Sequence, residues 1–122
     1  MIYDSGVAKK VLEYVKEKYD TEPEFLWAKS NNAIFRHKDN KKWYGAILNI
    51  PRSKLGIDGE KSIDILDVKC DPILKNSVID RKGYFPGYHM NKEYWITILL
   101  DGTVPINDIF YFIDLSYDLT TL

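Results

Sequence analysis

A chain of 122 residues with a hydrophobic fraction of 45%, a charged fraction of 29% and a net charge of −1 has the size and composition of one soluble domain with its own core. No apolar run approaches the roughly 20 residues that span a bilayer, and no basic segment followed by an apolar one opens the chain. A single cysteine, Cys70, excludes an intrachain disulfide and a cysteine-built zinc site, so the expectation is one domain over residues 1–122 in a reducing compartment, the cytoplasm, with no membrane partner.

Residues 7–18 place Val7, Val11, Leu12 and Val15 on one stripe with lysines and glutamates around the rest, the spacing of an amphipathic helix that Asp4 or Ser5 would cap. Asp20 to Pro23 break it, and Glu24 to Lys29 read as a short strand with Phe25 and Trp27 on one side. Asn31 and Asn32 signal a turn into a strand over 33–37, and the polar Lys38 to Lys42 turn leads into a third strand over 43–50. In that strand strict alternation groups Trp43 with Ile47 and sets Tyr44, Ala46, Leu48 and Ile50 on the opposite face, so both faces are covered and the strand is central. Pro51 to Lys61 form an extended loop or hairpin tip. Ser62 to Lys69 follow as a strand whose apolar phase changes between Ile65 and Leu66, which predicts a bulge there.

Asp71 and Pro72 are a helix-start pair: the carboxylate caps free amides, and proline at the first helical position forfeits no hydrogen bond. The helix is expected to reach Lys82, with Gly83 closing it. Residues 83–95, Gly-Tyr-Phe-Pro-Gly-Tyr-His-Met-Asn-Lys-Glu-Tyr-Trp, read as an aromatic loop entering a second central strand over 94–100. Pro105 then starts a helix whose Ile106, Ile109, Phe110, Ile113 and Tyr117 recur at helical spacing. The order predicts an α+β domain, one antiparallel sheet of about five strands with helices packed on one face.

The near-zero net charge conceals polarity, because residues 31–54 carry a balance of +5 and residues 101–122 a balance of −4. Arg36, Lys38, Lys41, Lys42, Arg52 and Lys54, together with Lys92, are candidate phosphate contacts, and the neighbouring rings of Trp43 and Tyr44 are candidate stacking partners for bases. The bland alternative is a solvated hairpin kept soluble by its lysines, with Trp43 and Trp95 in the core. In the 83–95 loop, Tyr84, Tyr88, His89, Asn91 and Trp95 are candidate ligand contacts. The competing reading has His89 and Asn91 bonding to loop backbone to lock the strand entry.

His37 and His89 have no acidic or thiol partner at metal-ligand spacing, so neither a metal nor another cofactor is expected. No nucleophile elbow, phosphate loop or dinucleotide fingerprint is present, and an enzyme is not expected. Cys70, beside a helix start, is either an activated thiol or a buried structural one.

The stretches Trp43-Tyr-Gly-Ala-Ile47, Val68-Lys-Cys-Asp-Pro72, Gly87 to Ile98, Leu100 to Pro105 and Ile113-Asp-Leu-Ser-Tyr117 together make the sequence similar to the MmcQ/YjbR-like family. The resemblance covers most of the chain and implies a CyaY-like fold with a double-wing arrangement of hairpins and a DNA-binding role. Matching positions are Trp43, Asp71, Pro72, Gly87, Tyr88, His89, Asn91, Lys92, Trp95, Asp101, Gly102, Ser116 and Tyr117. The iron role of frataxin-type proteins of this fold lacks its acidic ridge, since Lys9, Lys10, Lys16 and Lys18 interrupt the acids of the first helix. A sequence pI near 6.1 departs from the basic character usual for DNA-binding domains. The function expected is a non-enzymatic module holding DNA through basic hairpin wings. The alternative is a protein or small-molecule interaction module built on the 84–95 loop.

Overall fold

The computed structural model describes residues 6–25 and 32–121. Helix α1 spans Gly6–Tyr19, strand β1 Ala33–Arg36, β2 Trp43–Pro51, β3 Ser62–Lys69, helix α2 Pro72–Val78, strands β4 Tyr84–Pro86 and β5 Trp95–Leu99, and helix α3 Ile106–Leu119. A short 3₁₀ turn, Arg52–Leu55, opens the β2–β3 connection. The five strands form one antiparallel sheet in the order β1-β2-β3-β5-β4. The expected α+β architecture is therefore observed.

Side chains alternate across the sheet, so the register sorts residues into two faces. Ala33, Ile47, Leu66, Ile98 and Tyr84 form one cross-strand row, packed with Val11 and Val15 of α1 and Ile109, Phe112 and Ile113 of α3 into the main core. The opposite face carries a smaller core of Ile50, Ile63, Ile65 and Leu99. It is covered by loops: Leu55 and Ile57 from the β2–β3 connection, and Tyr88 from the segment after β4. Both helices thus lie on one face, and the other face is roofed by irregular chain.

Helix α1 is tied to α3 through Asp114, whose carboxylate accepts from the Tyr14 hydroxyl (2.7 Å), the Tyr19 hydroxyl (2.6 Å) and the Lys18 ammonium (2.9 Å). Burial alone would raise the Asp114 pKa; the three donors reverse that and hold it below the ordinary value. Tyr14 stacks on Phe110 at 3.9 Å and Tyr19 on Tyr117 at 3.8 Å, extending the same contact. His37 is buried within this aromatic cluster, 4.2 Å from the Tyr117 ring, with Nε2 2.7 Å from the Thr120 hydroxyl.

Several expectations are corrected. β3 has no bulge: its pairing with β2 and β5 is continuous through Ile65 and Leu66, and its apolar residues occur in both phases because both faces are covered. The bulge lies in β2, where Phe35 pairs with Gly45 but Arg36 pairs with Trp43, leaving Tyr44 outside the ladder. That extra residue exchanges the two aromatics: Tyr44 turns to the helical core and Trp43 to the opposite face, the reverse of strict alternation. Helix α2 ends at Val78, four residues before Lys82, because Gly83 must already offer its carbonyl to the Leu99 amide (2.9 Å) in the sheet. Residues 84–86, read as loop, are the edge strand β4, which brings the sheet to five. Of the strand expected over 24–29, Glu24 bridges to Ile34. Phe25 is exposed and outside any strand, and residues 26–29 lie outside the described residues, as do Asp4, Ser5 and Asn31.

Asp71 caps α2 as expected, accepting from the amides of Ile73 (2.8 Å) and Leu74 (3.4 Å). A less visible joint is Ser116 of α3. Its buried hydroxyl donates to the Tyr44 carbonyl (2.6 Å) and accepts from the Lys69 amide (2.9 Å), satisfying two backbone groups where the β2–β3 ladder has stopped. Ser116→Ala should destabilise the fold by about 2–3 kcal/mol, since both groups lose their partner. The exposed Ser77→Ala should cost less than about 0.5 kcal/mol. Urea unfolding of the two variants checks this, and equal midpoints would refute it.

Candidate binding site on the open face of the sheet

On the face away from the helices, the central row runs Ile34, Ala46, Asp67, Thr97 and Phe85 from one sheet edge to the other. Over it passes the segment Gly87-Tyr88-His89-Met90. Gly87 is required where this segment leaves β4: a Cβ there would lie 2.7 Å from the Cβ and 3.0 Å from the carbonyl oxygen of Trp95. The turn is then fastened by its own polar groups. Lys92 Nζ donates to the Gly87 carbonyl (2.8 Å), Asn91 Oδ1 accepts the Glu93 amide (2.9 Å), and Lys75 Nζ reaches the Lys92 carbonyl (3.0 Å). His89 adopts a left-handed φ of +58°, a conformation uncommon for residues other than glycine, and its ring stacks on Tyr88 at 4.1 Å.

Between this segment and the β1–β2 edge lies a cavity of about 310 Å³, lined by Asn32, Ile34, Trp43, Ala46, Leu48, Ile50, Tyr88, His89 and Met90. Its walls are mainly apolar and aromatic, and it exists because the β2 bulge turns Trp43 to this side.

Beside Ala46 is the unusual group of the face. Asp67 is fully buried in the middle of an apolar strand. Its Oδ1 accepts from the Thr97 hydroxyl (2.5 Å), which in turn accepts the Tyr88 amide (2.8 Å). Oδ2 has no hydrogen-bond partner among the described residues. Burial pushes the Asp67 carboxyl up to about 7; the Thr97 hydroxyl, the Lys92 ammonium and the Tyr88 amide offset only part of the desolvation. The sequence signal was present, a carboxylate flanked directly by Leu66 and Val68, but it was not among the candidates.

Of the candidate ligand contacts, Tyr88 and His89 line the cavity. Tyr84 does not: it is in the helical core, edge-on to Phe112 at 5.6 Å, because β4 is a strand whose alternation turns it inward. Asn91 locks the turn, and Trp95 packs against Gly87.

The basic candidates are divided. Arg36 Nε is 2.8 Å from Glu24 Oε2, with its guanidinium 5.6 Å from the Trp43 ring centre, and Lys38 pairs with Asp20 at 2.7 Å. Lys41 and Lys42 are exposed at the β1–β2 turn. Arg52 and Lys54, grouped with them as candidate phosphate contacts, follow β2 at its other end, about 30 Å away at ~3.3 Å per residue. Successive turns of a meander lie at opposite ends of the sheet, so no single loop cluster joins them. Burial pushes the Cys70 thiol up, with Asp71 adding to the effect, which is opposite to an activated thiol. Among the described residues, no group of three or more His, Cys, Asp or Glu could hold a metal ion, and no helix is long and apolar enough to cross a membrane.

The YjbR family model matches residues 16–119. The Bacillus subtilis protein YyaQ is 46% identical over 111 residues, covering 90% of this chain and 94% of that protein. Escherichia coli (strain K12) YjbR is 47% identical over 32 residues, 26% of this chain and 27% of its own. Both are uncharacterized proteins. A crystal structure of a Pseudomonas syringae protein superimposes with a TM-score of 0.88 at 43% identity, covering 92% of this chain and 97% of that one. A Deinococcus radiodurans protein with a DUF419 domain gives 0.71 at 23% identity over 93% of this chain and 78% of its own, a likeness of fold alone.

The raised Asp67 pKa has a definite sign in stability. An unfolded aspartate titrates near 3.9, so between about pH 4 and 7 the folded chain holds a proton that the unfolded chain has released. Stability should therefore fall as pH rises through that window, by up to about 1.4 kcal/mol per unit, and level off above it. Urea unfolding from pH 4.5 to 7.5 should show Asp67→Asn lacking this component of the slope; parallel slopes for the two proteins would refute it.

Proposed function

The chain belongs to the YjbR family, and we propose that it is a non-enzymatic binding module whose ligand is a small molecule held on the open face of the sheet. The observation that carries this reading is the cavity between Trp43 and the Tyr88-His89 stack. Its volume falls within the usual range for small-molecule sites, its walls are apolar and aromatic, and its roof is a segment already fixed by Gly87, Asn91 and Lys92. A site whose walls are ordered before the ligand arrives loses less conformational entropy on binding.

The second reading is the double-wing contact with DNA. Exposure of Lys41, Lys42 and Lys54 favours it. Against it stand the ion pairs that occupy Arg36 and Lys38 and the separation of the remaining charges along β2, which together limit the number of phosphates one duplex face could meet.

One pair of titrations separates the readings. Aromatic fragments followed by proton–nitrogen correlation NMR should shift amides of residues 46–50 and 87–90, and Trp43→Ala should weaken binding about ten-fold or more by removing a wall. Duplex DNA at low salt should leave Lys41, Lys42, Arg52 and Lys54 unshifted. DNA-dependent shifts at those four residues, abolished by their replacement with alanine and accompanied by no fragment binding, would reverse the order of the two readings.

A further inference from the structure

The ligand class can be narrowed, on the reading that the open-face cavity is a binding site. We infer that the cavity selects a ligand with an aromatic or apolar body and a cationic, hydrogen-bond-donating head, an arylalkylamine in type, whose head engages the free oxygen of Asp67.

Three observations converge on this. Asp67 does not itself line the cavity, but it is the cross-strand partner of Ala46, whose methyl is the smallest side chain that does, so the carboxyl sits one residue behind that wall. Cross-strand partners have Cβ atoms only about 4.5–5.5 Å apart. Next, the carboxyl is half used: Thr97, its neighbour on β5, takes Oδ1, and Oδ2 is left without a donor although the residue is fully buried. A polar atom excluded from water and unpaired is destabilising, and a bound donor would relieve it. Finally, the nearby ammonium does not fill this role. Lys92 acts on Asp67 through its field, but its Nζ donates to the Gly87 carbonyl, so it supports the roof and leaves the carboxylate oxygen open.

Thr97 gives the arrangement its direction. Its hydroxyl hydrogen goes to Asp67 and its lone pair receives the Tyr88 amide, so the carboxyl, the sheet and the roof are parts of one chain of hydrogen bonds. A cation reaching Asp67 makes a charge-assisted bond in a dry site, while the aromatic body packs between Trp43 and Tyr88. Above about pH 7, where Asp67 is ionised, an anionic head would meet the carboxylate and be rejected.

The test uses the full chain at about pH 8, where Asp67 is ionised and an alkylamine is still cationic, and three indoles that share a body: tryptamine, neutral 3-ethylindole and indole-3-propionate, measured by calorimetry and correlation NMR. Tryptamine should bind about ten-fold tighter than 3-ethylindole, with the acid weakest, and the amides of Ala46 and Asp67 should shift. Asp67→Asn keeps the shape and the Thr97 bond; it should bring tryptamine and 3-ethylindole within about two-fold of each other without weakening 3-ethylindole. Ala46→Leu, which fills the space beside the carboxyl, should lose the amine preference as well. If the three indoles bind alike, or Asp67→Asn retains the tryptamine preference, the inference is overturned and the cavity reading stands. If neither the indoles nor other aromatic fragments bind, both fall.

Discussion

The hydroxyl of Ser116 is the joint on which the two layers depend. The β2–β3 ladder stops at Ala46 and Asp67, beside the bulge that β2 makes against β1, and a helix laid over that point ordinarily brings only apolar side chains. Here α3 supplies a donor and an acceptor in a single atom, meeting the Tyr44 carbonyl on one side and the Lys69 amide on the other. Without it two backbone groups would be buried unpaired beneath a helix, where water cannot reach them. The bulge is thereby made compatible with a closed core, and the bulge is what sends Trp43 to one face and Tyr44 to the other. The helical core and the cavity on the far side thus share one cause.

The faces differ in how they are covered. On the helical side, aromatic pairs and the Asp114 cluster hold α1 and α3 as a rigid layer. On the open side, the roof is a turn fixed by the Asn91 side chain and by the ammonium groups of Lys75 and Lys92, with little apolar packing of its own beyond Tyr88. Irregular chain can leave space that two packed helices would fill, and the buried carboxyl of Asp67 is tolerated next to that space.

Much of the architecture was legible in the sequence, and the failures have physical reasons. Helices α1 and α3 announce themselves by apolar residues at helical spacing, and Asp71-Pro72 marks the start of α2 by capping chemistry alone. β4 was hidden because three residues ending in proline carry no periodicity, and only pairing with β5 makes them a strand. The β2 bulge was unreadable since nothing local distinguishes Trp43-Tyr44-Gly45 from a regular run; Gly45 is where the Phe35 ring comes close, a contact known only once the strands are paired. Half of the site was visible as the Tyr88-His89 pair. Its other half, Asp67, required knowing which face of β3 it occupies, and the grouping of the basic residues failed because consecutive meander turns alternate between the two ends of the sheet.

The edge strand β4 also determines how copies of this chain can meet. Its sheet-facing groups are engaged with β5: the Gly83 carbonyl accepts the Leu99 amide, and the Gly87 amide donates to the Trp95 carbonyl. Of the residues that alternate to the outside, Tyr84 has its amide committed to the Arg81 carbonyl, and Pro86 has no amide hydrogen at all. The rim therefore offers an incoming strand no free N–H to pair with. Growth of the sheet by strand addition, the route to edge-to-edge aggregation, is closed on this side by backbone chemistry, without the help of surface charge.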